Sequence, residues 1–452
     1  MSAFETLRRT HDTREPLRVL SASGQLGYGI PEPAFRAGLA RKPHLIGADM
    51  GSVDPGPYYL GAGKMATDPG TSRRDLKLIL TGARALGVPL LLGTAGTAGA
   101  APHLAQTLAM VREIAAEEGL HFRLASIAAD IPPETVANGT ITPLGRIPAP
   151  TRADILASRI VGQMGTEAFA RALAQGADVI IAGRACDTAI FATIPQLLGY
   201  PPGLAMHMAK IIECTSLCCL PGGRDAMLAT LTMDDFTLES MNPDRHATPL
   251  SVAAHALYEQ GDPYMVAEPE GVLHLQTAEY EAVDTHRTRV FGARWEPAET
   301  FRIKIEGAQR VGHRAVLLAA SADPEFIARL PAILATVEAT TRSLFPGTYD
   351  LFPRTYGAGA VSLFGATPTT GEVFILTECV AETLEIAKGA LGTFKQYLLH
   401  HGFEGRRSTG GNIAFPLTPP ELDAGPSYRF SLYHLLDVPA LAPLFPVTVE
   451  EV

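Results

Sequence analysis

The chain has 452 residues, more than one hydrophobic core ordinarily organises, which predicts two or three domains. Hydrophobic residues make up 46% and charged residues 19%, so a large core can be buried and overall disorder is excluded. The net charge of -10 disfavours nucleic acid and anionic membrane surfaces as partners, while a few local arginines can still hold a small anionic substrate.

From the N-terminus, MSAFETLRRTHDTREPLR has no apolar core of the kind a signal peptide needs, and no long uncharged apolar run predicts a membrane helix. Short apolar runs then alternate with amphipathic stretches. RVLSAS (18–23), PHLIGAD (43–49), VPLLLGTA (88–95), FRLASIAAD (122–130) and ADVIIAG (177–183) read as strands. Residues 73–87, 101–119 and 165–176 read as helices, the last beginning at Gly165-Thr166 and stopping at Gly176. Strands apolar throughout, separated by helices, predict a parallel sheet covered on both faces. Beyond residue 250, SVAAHALYEQ (251–260) reads as a helix, and THRTRVFGARW (285–295) and FRIKIEGA (301–308) read as strands. RAVLLAASA (314–322), a helix over 324–345 interrupted near Pro331, EVFILTECVA (372–381), a helix over 383–402 and GNIAFPL (411–417) suggest two strand–helix units. The expected fold class is therefore α/β. A Rossmann-like domain with helices on both faces of its sheet spans 1–245, and a mixed region over 246–452 contains an α+β, ferredoxin-like layer.

Open parallel sheets bind ligands outside the carboxyl ends of their strands. Ser23, Asp49, Thr94 and Arg184 fall there, with Ser52 just beyond. The stretch GADMGSVDPGPYYLGAGK (47–64) is not a phosphate loop, since Gly63-Lys64 is followed by Met65 and Tyr58 stands where the first glycine belongs. Its glycines would instead let a lid carry Lys64 over the sheet edge. SGQLGYG (23–29) has the wrong glycine order for a dinucleotide fingerprint, which excludes an ordinary NAD enzyme. GTAGTAGA (93–100) precedes a helix and could cradle an anion, against the plainer reading of a tightly packed turn.

AGRACDTA (182–189) follows a strand, so Arg184 and Asp187 lie near its carboxyl end. The guanidinium could fork onto a substrate carboxylate, or Arg184 and Asp187 could simply pair. Lys210 and Glu213 share a helix face, where Glu213 is either a desolvated general base or half of a salt bridge. Arg224 is a second candidate anion ligand. The five cysteines, Cys186, Cys214, Cys218, Cys219 and Cys379, are odd in number and read as reduced thiols in a cytoplasmic protein. No zinc spacing is present, although Asp49, Asp54 or Glu213 could hold a divalent metal with water. HHGFEGRRSTGGN (400–412) could close over an anion, against the plainer reading of a solvated loop.

GADVIIAGRACDTAIFA (176–192), KIIECTSLCCLPGG (210–223), TPLSVAAHALYE (248–259) and VFGARW (290–295) together resemble the acyclic terpene utilisation AtuA family, from the first strand to about residue 300. The resemblance implies a cytoplasmic bacterial catabolic protein, served by a separate small subunit in a homo- or hetero-oligomer. The expected activity is that of a lyase of the hydratase/dehydratase type on a small polycarboxylate, hydroxy acid or acyl-CoA thioester. In it Asp49 or Glu213 removes a proton, Lys64 stabilises the enolate or protonates the leaving hydroxyl, and Ser23, Ser52, Thr94, Arg184, Asp187 and Arg224 bind substrate. A non-catalytic subunit serving a partner enzyme and a thiol-dependent thioester transferase or hydrolase are the alternatives.

Overall fold

Apolar runs become strands and capped amphipathic stretches become helices, in alternation through the first part of the chain. In order these are α1 (Ala3–Thr10), β1 (Leu17–Ser23), α2 (Glu32–Ala40), β2 (Leu45–Asp49), α3 (Pro57–Ala62), α4 (Pro69–Leu86), β3 (Leu90–Gly93), α5 (Ala101–Glu118), β4 (Arg123–Ile127), α6 (Pro133–Ala137), β5 (Ile141–Pro143), α7 (Arg152–Leu156), β6 (Ser158–Gly162), α8 (Thr166–Ala174), β7 (Val179–Ala182), α9 (Asp187–Leu197) and α10 (Pro202–Ile212). There follow β8 (Met227–Leu231), β9 (Phe236–Ser240), α11 (Pro249–Ala256), β10 (Met265–Glu268), β11 (Gly271–His274), β12 (Glu279–Ala282), β13 (Arg287–Phe291), β14 (Arg294–Pro297), β15 (Phe301–Ser321), α12 (Pro324–Leu344), β16 (Tyr349–Tyr356), β17 (Val373–Ala381), α13 (Leu384–His400), β18 (Glu421–Val438) and β19 (Val447–Glu451). The structure is a computed structural model that describes residues 1–258, 261–357, 371–406 and 413–452. The chain forms two units, residues 1–309 with 430–452, and residues 310–429.

The first unit is built on a ten-stranded mixed sheet in the order β12-β13-β9-β8-β1-β2-β3-β7-β4-β19. Its middle strands β1, β2, β3, β7 and β4 run parallel. The flanking strands pair antiparallel. Side chains alternate across a strand, so neighbouring residues enter different cores. Leu20, Ile46, Leu92 and Ile181 pack with Phe35 of α2, Ile79 of α4 and Val111 of α5. Val19, Leu45, Leu91 and Ile180 pack on the other face with Phe169 of α8, Phe191 of α9 and Met208 of α10. Helices therefore cover both faces, and this is why the strands are apolar at every position.

Local signals explain the helix bounds. Asp68 caps α4 by accepting from Thr71 N–H, and Gly87 ends it at φ 65°. Gly119 ends α5 in the same way at φ 61°. The N-cap of α8, Gly165, has no side chain to offer. Glu270 supplies the acceptor instead, taking the Glu167 N–H at 2.9 Å.

Several elements differ from the sequence expectation; of the expected strand 411–417, residues 411 and 412 lie outside the described residues and 413–417 make only an isolated bridge, Ala414 to Ala320. The run 285–295 is two strands, because Gly292 turns the chain at φ 86° between β13 and β14, a position where a Cβ would lie 2.2 Å from the Thr277 carbonyl oxygen. FRIKIEGA and RAVLLAASA join into the single strand β15. Helix α12 continues through Pro331, since proline removes only one hydrogen bond while Phe326, Ile327, Leu330, Ile333 and Val337 remain buried on one face.

In the second unit the later half of β15 pairs antiparallel with β17, and β17 with β16. Helices α12 and α13 share a core with them through Leu330, Leu391 and Phe394.

Candidate functional site

The carboxyl ends of β1, β2, β3 and β7 carry Ser23, Asp49, Thr94 and Arg184. Glycine allows their loops to close on one another. A Cβ on Gly99 (φ 68°) would lie 2.2 Å from the Arg184 backbone nitrogen, and one on Gly24 would lie 2.7 Å from the Cys214 Cα. Thr94 (φ 51°) and Thr97 (φ 92°) adopt positive φ although both are β-branched and fully buried. Such strain collects where a fold must present particular groups.

A cluster of buried charge forms at this end of the sheet. Arg184, 5% exposed, donates through Nε to Glu306 Oε2 at 2.7 Å and through Nη2 to Glu306 Oε1 at 3.3 Å. Its Nη1 donates to Thr94 Oγ1 at 3.3 Å and to the Ala185 carbonyl at 3.2 Å, and lies 3.9 Å from Asp187. The main partner is thus Glu306 of β15, and the expected Arg184–Asp187 pair is the longer contact. Lys304 adds its ammonium 3.4 Å from Glu306, and Gln163 donates to the same carboxylate at 3.2 Å. Burial works against ionisation of Glu306, but the Arg184 guanidinium outweighs it and holds the carboxyl below its usual range.

Two further carboxyls go the other way. Asp49 is 5% exposed and its Oδ2 accepts from Gly51 N–H at 3.1 Å, while Oδ1 is buried with no hydrogen-bond partner. Burial, reinforced by the charge of Asp187, pushes its pKa well up. Glu213, at the end of α10, accepts from Lys210 Nζ at 2.6 Å. Burial raises Glu213 to about 8, against the pull of Lys210. Asp187, at the first position of α9, is raised by burial, and its Oδ1 too has no hydrogen-bond partner. Glu268, at the end of β10, accepts from Thr188 Oγ1 at 2.6 Å and is pushed by burial to about 7.

Among the residues expected from sequence, Thr94, Arg184 and Asp187 meet directly, and the charge of Asp187 acts on both Asp49 and Glu213. Ser23 is buried and accepts from Gln25 N–H, and Ser52 accepts from Asp54 N–H. Lys64 is exposed beyond α3, and its ammonium has no ion-pair partner among the described residues. Arg224 is exposed, its guanidinium 5.3 Å from the centre of the Tyr28 ring. The first N–H of α5, on Ala101, is already taken by Asp130 at 2.7 Å, which favours the packed-turn reading of 93–100. Within 400–412, residues 407–412 lie outside the described residues.

The described cysteines are free thiols. Burial pushes Cys186 and Cys214 above their ordinary value, so neither is held as a thiolate. Among the described residues no group of three or more His, Cys, Asp and Glu side chains is arranged to hold a metal ion. The imidazole of His207, buried on α10, is hydrogen-bonded to the Tyr280 hydroxyl at 3.1 Å. No described helix is long and apolar enough to cross a membrane.

Sequence reasoning missed Glu306, Lys304 and Glu268. In FRIKIEGA, Glu306 alternates with Ile303 and Ile305 and shares a face with Arg302 and Lys304, so the sequence reads as an ordinary charged face and gives no sign of the burial.

The first unit is thus a mixed α/β sheet with buried carboxyls and cations gathered near its parallel strand ends. The model of the acyclic terpene utilisation family protein AtuA matches residues 95–196 and 241–405, more than half of the chain, and the chain belongs to that family. The match begins later and reaches further than the resemblance read from sequence. Arg184, Asp187, Glu268 and Glu306 fall within it, while Asp49, Lys210 and Glu213 do not. No curated protein and no solved structure matches the chain.

Proposed function

We propose that the protein is a lyase of the hydratase/dehydratase type, acting on a hydroxy acid or its thioester. The observation that carries this reading is the pair Asp49 and Glu213, two buried carboxyls raised by burial at one end of the sheet. Asp49, whose proton burial holds more tightly than an ordinary carboxyl's, serves as the acid, while Glu213, raised to about 8, exchanges its proton near neutrality and serves as the base. Glu213 takes the proton alpha to the carbonyl, the C–O bond breaks, and Asp49 gives its proton to the departing hydroxyl, so that water leaves. Lys210 positions Glu213 through its 2.6 Å contact. Arg184, Asp187 and Thr94 shape the electrostatic floor, with Ser23 and Ser52 at its rim. Lys64 and Arg224 meet the charged end of the substrate from exposed loops. On this reading the parallel core serves as a Rossmann-like sheet, the residues 310–429 as a ferredoxin-like layer, and the chain works in cytoplasmic catabolism, in an oligomer that includes a small subunit. A thiol-dependent mechanism is less well supported, because Cys186 and Cys214 are buried as neutral thiols.

The test is proton exchange in deuterated water. The purified chain should wash deuterium into the alpha position of β-hydroxyacyl thioesters and release their dehydrated products. Glu213→Gln should lower exchange by about a hundredfold or more, and Asp49→Ala should spare exchange while blocking loss of water. Exchange unchanged in Glu213→Gln would remove Glu213 as the base. Activity that appears only with a second polypeptide would favour the non-catalytic subunit.

A further inference from the structure

We infer that the inner end of the site, at Asp49, receives an uncharged oxygen function of the substrate and turns away a free carboxylate. This rests on the site reading above and narrows its substrate class to hydroxylated esters, thioesters or amides, with any charge held at the outer end.

The cations decide it. Arg184 directs two nitrogens to Glu306 at 2.7 and 3.3 Å and its third to Thr94 and the Ala185 carbonyl. Lys304 lies 3.4 Å from the same Glu306, and Lys210 donates to Glu213 at 2.6 Å. Every positive group of the cluster is thus matched from within. A substrate carboxylate would have to displace Glu306, which is 1% exposed, and would leave that charge buried without its partner.

The unmet atoms are of another kind. Asp49 Oδ1 is buried and unpartnered, and because Oδ2 already accepts from Gly51 N–H, the proton of the neutral acid belongs on Oδ1. Ser21, fully buried on the adjacent strand, also has an unpartnered hydroxyl. By alternation with Val19 and Leu45 it faces the same side of the sheet as Asp49. Buried polar atoms without protein partners are free to hydrogen-bond an ordered water or a ligand. A carboxyl O–H and a hydroxyl suit a carbonyl or hydroxyl oxygen. Asp187, with its own unpartnered Oδ1, and Glu213 stand against a second anion.

The experiment compares two probes of the same shape, β-hydroxybutyrate and β-hydroxybutyramide, by saturation-transfer NMR and calorimetry on the full chain. The amide should bind about tenfold or more tightly than the acid, and Asp49→Ala should remove that binding. Glu306→Gln releases Arg184 and should bring the acid level with or ahead of the amide. Correct folding of that variant is checked by circular dichroism, and the wild-type comparison decides the question even if it does not fold. Preference of the wild type for the acid overturns the inference and leaves the site assignment standing. Binding of neither probe, or binding untouched by Asp49→Ala, overturns the site assignment together with it.

Discussion

Glu213 shows how burial and charge compete at a single residue. Water is withheld from its carboxyl, and the nearby Lys210 recovers only part of that loss, so the proton is held to about 8 instead of near 4.5. A group that binds its proton more tightly in the folded chain stabilises the fold fully at low pH, and that stabilisation is lost as pH rises through the folded value. Asp49, also raised, acts in the same direction. The melting temperature of the wild type should therefore fall by a few degrees or more between about pH 5 and about pH 9. Glu213→Gln, which cannot ionise, should flatten that fall. An equal slope in both proteins, measured by differential scanning calorimetry, would mean that Glu213 is an ordinary ionised carboxylate. The places of Arg184, Asp187 and Glu213 at the ends of elements were legible in the sequence because each adjoins a readable strand or helix. Glu306 was not, because its partner lies 122 residues away and nothing local announces the pairing.

The elements that sequence revealed are those whose signals are local. Helix α4 has its Asp68 cap and Gly87 stop, and the parallel strands are apolar because both faces are covered. The strands β8 to β14 were largely illegible. They are four or five residues long and several are half exposed, so their alternation is too short to separate from loop. Nor could the sequence order the strands. β7 lies between β3 and β4, and its residues VIIA would suit any buried position in that sheet. What holds the strand ends together is close backbone approach. Gly99→Ala should destabilise the protein by about 2–4 kcal/mol, since the new Cβ meets Arg184 backbone and the positive φ disfavours it. Urea unfolding measures the loss, and a change below about 0.5 kcal/mol would show that the loop relaxes freely. Glu270→Ala tests a different junction. It removes the acceptor at the start of α8 that Gly165 cannot supply, and should cost about 1 kcal/mol.

At the scale of the whole molecule the charge cluster joins segments remote in the chain, with Arg184 after β7 and Glu306 on β15. Such a pair is not in itself a source of stability, because desolvating both ions cancels most of their attraction. Breaking it is another matter. Glu306→Ala leaves a buried guanidinium, and the Lys304 ammonium beside it, without their anion and should lower stability by about 3–5 kcal/mol. Arg184→Ala should do comparable damage by stranding Glu306 beside Lys304 alone. The double variant should lose much less than the sum, because neither charge is then left behind. Replacement of the pair by Arg184→Met with Glu306→Leu should recover most of the wild-type stability while abolishing turnover, which separates a chemical role for the cluster from a merely structural one. Urea denaturation of all four proteins closes the cycle, and strict additivity of the two alanine changes would show that Arg184 and Glu306 are not coupled as their 2.7 Å contact requires.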